Sequence, residues 1–293
     1  MPISQFPGHR NWGYDGVFPY AVQNTYGGPQ GLKQFVNACH ELGLAVILDV
    51  VFNHLGPEGN ILKDYAPIMS QHSTPWGAGI NFDGPENSGV RHFFIQNALY
   101  WLEDFHIDGF RLDSVDAIVD TSAKPFLSEL SDALADFNRL NNRLTYALAE
   151  SNRNNPALTQ AQVLGGLGLD GQWNDDFHHA VHALLSEEVW GTYQDFVKIH
   201  DLAQSFRQGW VFTGQYSNFY RSQRGRPPQT SSGRKFVVYT QNHDQVGNRP
   251  RGDRYGTLLS LESQKLAAGT TLLSPFVPLL FMGEEYGERS PFL

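Results

Sequence analysis

Apolar positions along this chain follow two periods in turn, and their alternation predicts a repeating order of helix and strand. Residues 87–105 carry Phe94, Ala98, Trp101, Leu102 and Phe105 at helical spacing. The stretch that follows is Ile107-Asp108-Gly109-Phe110-Arg111-Leu112-Asp113-Ser114-Val115, apolar inside and charged at its far end. It reads as a buried strand that delivers Arg111 and Asp113 to its C-terminal mouth. Residues two apart on a strand point to the same side, so guanidinium and carboxylate share a face. The plain alternative is a salt-bridged strand end.

The same alternation runs through the rest. Gly27-Gly28-Pro29 opens a helix that runs to Leu42, with Gly43 as its stop. Ala45-Val46-Ile47-Leu48-Asp49-Val50-Val51 is a continuous apolar run of the kind buried on both faces, and it leads into Phe52-Asn53-His54. Residues 55–87, rich in Gly, Pro and Asn, predict a long loop too polar for a core. Further helices are expected within 123–137, over 175–186, across 193–206 and within 262–273. Further strands are expected at 146–149, 168–172, 236–240 and 277–281. Strand ends carry Asp49/Asn53/His54, Arg111/Asp113, Glu150 and His243/Asp244. Four polar strand ends are hard to explain by packing. In a (β/α)₈ TIM barrel the chemistry sits at such ends. A barrel fits better than a dinucleotide-binding sheet, because no Gly-rich phosphate turn follows the first strand. About six strands are visible rather than eight. The expectation is therefore one catalytic domain, 1–293, that is an incomplete barrel without its first strands or any terminal β-domains.

Composition narrows the partners. A formal net charge of −9 argues against nucleic acid and against an anionic membrane surface. The nearest basic cluster, Arg221 to Arg226, reads as a loop. The single cysteine, Cys39, allows no intrachain disulfide and reads as a small buried hydrophobe. The N-terminal residues lack the charged head and apolar run of a signal peptide. The apolar stretch 272–282 is broken by Ser274, Pro275 and Pro278. A soluble, cytoplasmic protein is expected.

Asp113 and Glu150 are the strongest chemical pair. Glycoside hydrolysis with retention needs a nucleophilic carboxylate and a protonated one roughly 5–5.5 Å apart, which adjacent barrel strands can supply. Arg111 would keep Asp113 ionised, and the small and apolar residues before Glu150 would desolvate it so that it holds a proton. Asp244 would be a third carboxylate, gripping ring hydroxyls. His178 and His182 sit four apart on a helix but lack the Glu of a HExxH zinc motif, so a plain helix-face pair is the better reading. Asn53 has no carboxylate cluster around it of the calcium-cage kind. No metal and no cofactor are expected. Gly165-Gly166-Leu167-Gly168 is a turn rather than a phosphate loop, and Trp76, Trp190 and Trp210 read as core or loop anchors.

Asp49-Val50-Val51-Phe52-Asn53-His54, Gly109-Phe110-Arg111-Leu112-Asp113, Ala149-Glu150 and Asn242-His243-Asp244 resemble, in order, the four conserved regions of the α-amylase superfamily of glycosidases. The resemblance implies Asp113 as nucleophile, Glu150 as general acid/base and Asp244 as transition-state stabiliser. It also implies that Arg111, His54 and His243 bind the sugar at the scissile position and that Tyr14 stacks beneath it. Within that superfamily, four segments resemble the maltooligosyltrehalose trehalohydrolases: Trp12-Gly13-Tyr14-Asp15-Gly16-Val17, the stretch from Trp173 to His179, the stretch from Gln241 to Arg249, and Met282-Gly283-Glu284-Glu285-Tyr286-Gly287. The implied substrate is the oligosaccharide maltooligosyltrehalose, with Trp173, Asp175 and Asp176 expected to recognise its trehalose end. One departure is Asp116, where the trehalohydrolases usually have His, on the leaving-group side. A branching enzyme or other α-glucan transferase is the runner-up of the same class. A non-catalytic glucan binder is the alternative of a different class.

Overall fold

β6, Gly109–Leu112, is buried at every residue. It starts with glycine for a steric reason: a Cβ at Gly109 would lie 2.5 Å from the Tyr146 carbonyl oxygen and 2.9 Å from the Ile47 side chain. A computed structural model of the chain describes residues 1–228 and 232–293. Where the sequence reading treats 1–293 as one domain, the contacts form two compact units, Met1–Glu150 with Ala157–Asp170, and Ser151–Pro156 with Gly171–Leu293.

In the first unit β6 lies between β3, Ile47–Val50, and β7, Tyr146–Ala149, all three parallel. The register aligns Asp49, Arg111 and Leu148 in one row and Val50, Leu112 and Ala149 in the next. Three helices supply the apolar cover: α1, Gly28–Glu41, α2, Asn87–Asp104, and α3, Phe126–Asn141. On α2 the helical-period residues Phe94, Ala98, Trp101 and Leu102 are at most 1% exposed. Arg91 of the same helix is buried because its fork finds Glu129 at 2.7 Å, Asp120 at 2.8 Å and the carbonyls of Phe82 and Lys124. A short antiparallel pair, β1 Ser4–Gln5 and β2 Phe18–Val22, completes the start of the chain.

Four expectations change here. The strand expected at 45–51 forms only over β3, and Ile47 is 41% exposed because β3 has a neighbour on one side only within the unit. The stretch 55–87 is not a plain loop. It holds an antiparallel hairpin, β4 Met69–Thr74 and β5 Gly77–Ile80, and it buries Leu55, Ile68, Ile80 and Phe82. Thr74 closes the turn by donating its hydroxyl to the Gly77 carbonyl at 3.0 Å. α3 runs past 137 to Asn141 and stops where Asn142 takes the left-handed conformation, φ 51°. Cys39, on α1, is half-buried rather than fully enclosed.

In the second unit β8, Gly171–Trp173, and β12, Val277–Pro278, flank β11, Phe236–Val238, again in parallel. The helices are α4, Asp175–Ser186, α5, Ile199–Gln208, α6, His243–Gly247, α7, Tyr255–Leu258, and α8, Leu261–Leu272. Phe177, Trp210, Phe236 and Phe276 form the centre of its core. A hairpin, β9 Tyr216–Ser217 and β10 Ser222–Gln223, places its second strand in the basic stretch 221–226 expected to be a loop. The helical tract expected across 193–206 is split into a one-turn segment, Gly191–Asp195, and α5. Asp195 and Asp201 cause the break. Asp195 accepts from Asn218 and Phe219 backbone N–H groups, and Asp201 accepts from the Lys198 N–H at 2.9 Å. The strand expected at 168–172 begins only at Gly171, because Gly168 turns with φ 78°. Those at 236–240 and 277–281 end early, at Val238 and Pro278.

The two units hold six parallel strands, three in each. Among the described residues, no helix is long and apolar enough to cross a membrane.

Candidate active site

The first unit builds its strand-end cluster around Arg111. β6 carries it beside Asp49 on β3, and the pairing is close: Arg111 Nη1 lies 2.6 Å from Asp49 Oδ1. The same nitrogen reaches Asp113 Oδ1 at 3.1 Å, as two residues on one strand face allow. Nη2 lies 2.8 Å from Glu150 Oε2, just past the end of β7. One guanidinium thus meets three carboxylates. Burial alone would favour a neutral Arg111, but Asp49, Glu150 and Asp113 outweigh it and hold the group charged well above its ordinary range.

Tyr14 is locked to this cluster. Its hydroxyl donates to Asp49 Oδ2 at 2.8 Å and accepts from Arg111 at 3.1 Å. Burial, then the Asp49 charge, pushes its phenol pKa far up, so the proton stays. Asn53 grips the nucleophile candidate: its Nδ2 donates to both the carbonyl and Oδ2 of Asp113, each at 2.8 Å. Its Oδ1 is then the acceptor for His54 Nδ1, which fixes that ring's tautomer. Burial lowers the His54 pKa, so the ring stays neutral and Nε2 is its acceptor nitrogen.

Glu150 sits differently from expectation. Small, apolar neighbours were to shield it, yet it meets Arg111 and also accepts the Ser114 N–H at 2.7 Å. That N–H points the right way because Ser114 is left-handed, φ 37°, a conformation that costs a non-glycine residue about 1 kcal/mol or more. Strain directly after the nucleophile candidate is a reasonable mark of a functional site. Asp116 follows in the one-turn segment Val115–Ala117 and is half-buried.

The second unit gathers Trp173, His243 and Tyr239. Trp173 is buried and packs 5.2 Å from the Tyr239 ring and 6.2 Å from His243. His243 begins α6, with Asn242 as N-cap accepting from the Gln245 N–H at 2.8 Å. Asp244 is the more open of the pair, its carboxylate 3.5 Å from His243 Nε2. Asp175, half-buried, accepts from the Tyr239 hydroxyl. Asp176 does not fit its expected role of meeting the sugar. It is buried, and its Oδ2 accepts from Asn154 and from the Val211 and Phe212 N–H groups at 2.7–2.9 Å. Burial raises its pKa to about 6 against those donors. It pins a loop.

His178 and His182 find hydrogen-bond partners on both ring nitrogens, among Thr240, Tyr193, Tyr255 and Glu188. Trp76 was read as an anchor, but it is 48% exposed and stacks on His54 at 5.2 Å, while Trp210 is buried. Asn53 and Asp49 were visible at a strand end, yet their contacts with Asp113 and Arg111 come only from register. Ser114 gave no sequence signal.

A family model of the alpha amylase catalytic domain matches residues 1–76. The malto-oligosyltrehalose trehalohydrolase of Saccharolobus solfataricus is 49% identical over all of this chain and 51% of its own length. A 1,4-alpha-glucan branching enzyme of Bacillus cereus is more distant, 30% identical over 98% of this chain and 43% of its own. The crystal structure of an α-amylase-type protein from Salmonella typhimurium matches with TM-score 0.92 and 42% identity, covering all of this chain and half of that one. The chain spans about half the length of the curated relatives it matches. Along its whole length the chain is similar to proteins named malto-oligosyltrehalose trehalohydrolase, and its first 76 residues match the alpha amylase catalytic domain.

Proposed function

We propose that this chain carries the catalytic centre of a retaining glycosidase that cleaves the α-1,4 bond next to the trehalose end of maltooligosyltrehalose. The observation that supports it most is one buried guanidinium shared by Asp49, Asp113 and Glu150. Two carboxylates on neighbouring nitrogens of one arginine favour the short spacing of retaining enzymes, roughly 5–5.5 Å, over the wider inverting one. Asp113, held by Asn53 and Arg111, attacks the anomeric carbon and forms the glycosyl-enzyme. Glu150 protonates the departing oxygen and then takes a proton from the incoming water. Asp244 stabilises the developing positive charge. His54, His243 and Tyr14 contact the sugar, and Trp173 and Asp175 meet the trehalose side. A (β/α)₈ barrel, of which the six parallel strands are a part, belongs to the same proposal. So does a reducing, cytoplasmic setting, which fits a chain with one cysteine.

The test is product identity. Incubation with maltooligosyltrehalose should release trehalose, with weak action on plain maltooligosaccharides. New α-1,6 linkages in amylose by NMR, without trehalose from the other substrate, would establish a transferase instead. Glucan binding with no product from either would leave a binder.

A further inference from the structure

The segment that carries Asp244 is tied at both ends. At its start, Gln241 donates to Glu284 Oε1 at 2.8 Å and accepts the Tyr255 N–H at 2.6 Å. At its finish, Arg249 lays both terminal nitrogens on Glu188, Nη1 to Oε2 at 2.9 Å and Nη2 to Oε1 at 2.7 Å. Glu188 also takes His182 Nε2 at 2.8 Å, and His182 Nδ1 meets the Tyr255 hydroxyl at 3.1 Å. An ionised carboxylate only accepts, so Nε2 carries the ring proton and Nδ1 accepts from tyrosine. The chain of bonds Gln241–Tyr255–His182–Glu188–Arg249 therefore closes a loop around α6. Glu188 itself is seated just beyond α4. Glu187 turns left-handed, φ 61°, and Ser186 Oγ, bonded to the His182 carbonyl at 2.7 Å, accepts the Glu188 N–H at 3.3 Å.

The five-residue α6 is too short to hold its own shape, because a single turn fixes many dihedrals for few hydrogen bonds. Its geometry must come from its surroundings. A two-pronged arginine–carboxylate contact fixes direction as well as distance, which a point charge does not. We propose that Glu188 is a positioning residue: through Arg249, and oriented by His182, it holds residues 243–249 so that Asp244 keeps the attitude the reaction needs. This rests on the reading of Asp244 as the transition-state stabiliser. Glu188 touches no substrate. It acts at a distance through one arginine.

Hydrogen exchange of the full chain tests the clamp without needing turnover. In Glu188→Gln, and in Arg249→Lys should the first fold poorly, amides of 243–249 should exchange about tenfold faster, the scale of one lost charge-assisted hydrogen bond. Amides of β11 should be unchanged. The double variant Glu188→Gln/Arg249→Lys should exchange no faster than either single one, because the two side chains act as a unit. Unchanged exchange at 243–249, equal acceleration across the second unit, or additive effects would overturn the clamp. With maltooligosyltrehalose, Glu188→Gln should lower kcat about tenfold with KM within about twofold, the mark of an interaction that matters in the transition state. An unchanged kcat alongside faster exchange would overturn the link to Asp244. A wild-type chain that releases no trehalose would refute the functional reading, while the exchange result still decides the clamp.

Discussion

The two units arrange their strand ends on different electrostatic plans. Around Arg111 stand Asp49, Asp113 and Glu150, three carboxyl groups to one buried cation. Around His182 the groups are mostly neutral: His178, Tyr193, Tyr255 and Gln241, with a single ion pair between Glu188 and Arg249. Burial keeps those histidines uncharged, pulling His178 and His182 below the ordinary range and His179 down to about 3. An excess of fixed negative charge suits a reaction whose transition state carries positive charge on the sugar. A neutral, fully bonded net suits the holding of a backbone. Under the proposed function the first plan serves the chemistry and the second holds the segment that carries Asp244.

The contrast can be broken most severely at Asp113. Asp113→Asn should lower kcat by about 10⁴ or more, since an amide cannot form the glycosyl-enzyme. Asp176→Asn, a buried carboxylate in the other unit, should leave kcat within a few-fold. Steady-state kinetics on maltooligosyltrehalose would decide, and near-normal turnover of Asp113→Asn would end the assignment. Glu150→Gln should be far slower on poor leaving groups than on activated ones.

Arg111→Met sharpens the comparison on the stability side. Removing the cation leaves three carboxylates without their common partner, and breaking a buried pair in this way costs about 3–5 kcal/mol. A denaturant midpoint equal to wild type would show that the cluster is not held by its cation.

Asp176 gives the pH prediction. Its folded pKa of about 6 lies above the ordinary 3.8, because burial disfavours the charge more than its donors favour it. The folded state therefore binds this proton more tightly than the unfolded one. Its contribution is complete below pH about 4 and is lost as pH rises through about 6, a change of about 3 kcal/mol. Relative to wild type, Asp176→Asn should gain stability across that window. Parallel stability–pH curves for the two proteins would contradict it. Ser114→Gly carries the smallest expected effect: it keeps the N–H to Glu150, relieves the left-handed strain and should stabilise by up to about 1 kcal/mol.

Read alone, the sequence determined the order of the six parallel strands and of the longer helices between them, and the residues of the strand ends. The strand at 146–149 and the helix at 175–186 were legible to the residue, because period two and period 3.6 are local properties. So was the shared face of Arg111 and Asp113. Tertiary structure alone decided what those residues touch. Asp49 meets Arg111 across 62 positions and Asn53 meets Asp113 across 60, through the register of β3 on β6. The hairpin within 55–87 was missed because a polar segment can still bury a few residues once a core is there to receive them. Asp176 looked like a ligand for sugar, since a carboxylate in the first turn of a helix has too little pattern around it to say which way it turns. Its inward turn answers the unpaired N–H groups of Val211 and Phe212, 35 and 36 residues away. Hydrogen-bond partners over such distances are chosen by packing and register, and a one-dimensional pattern holds no record of them.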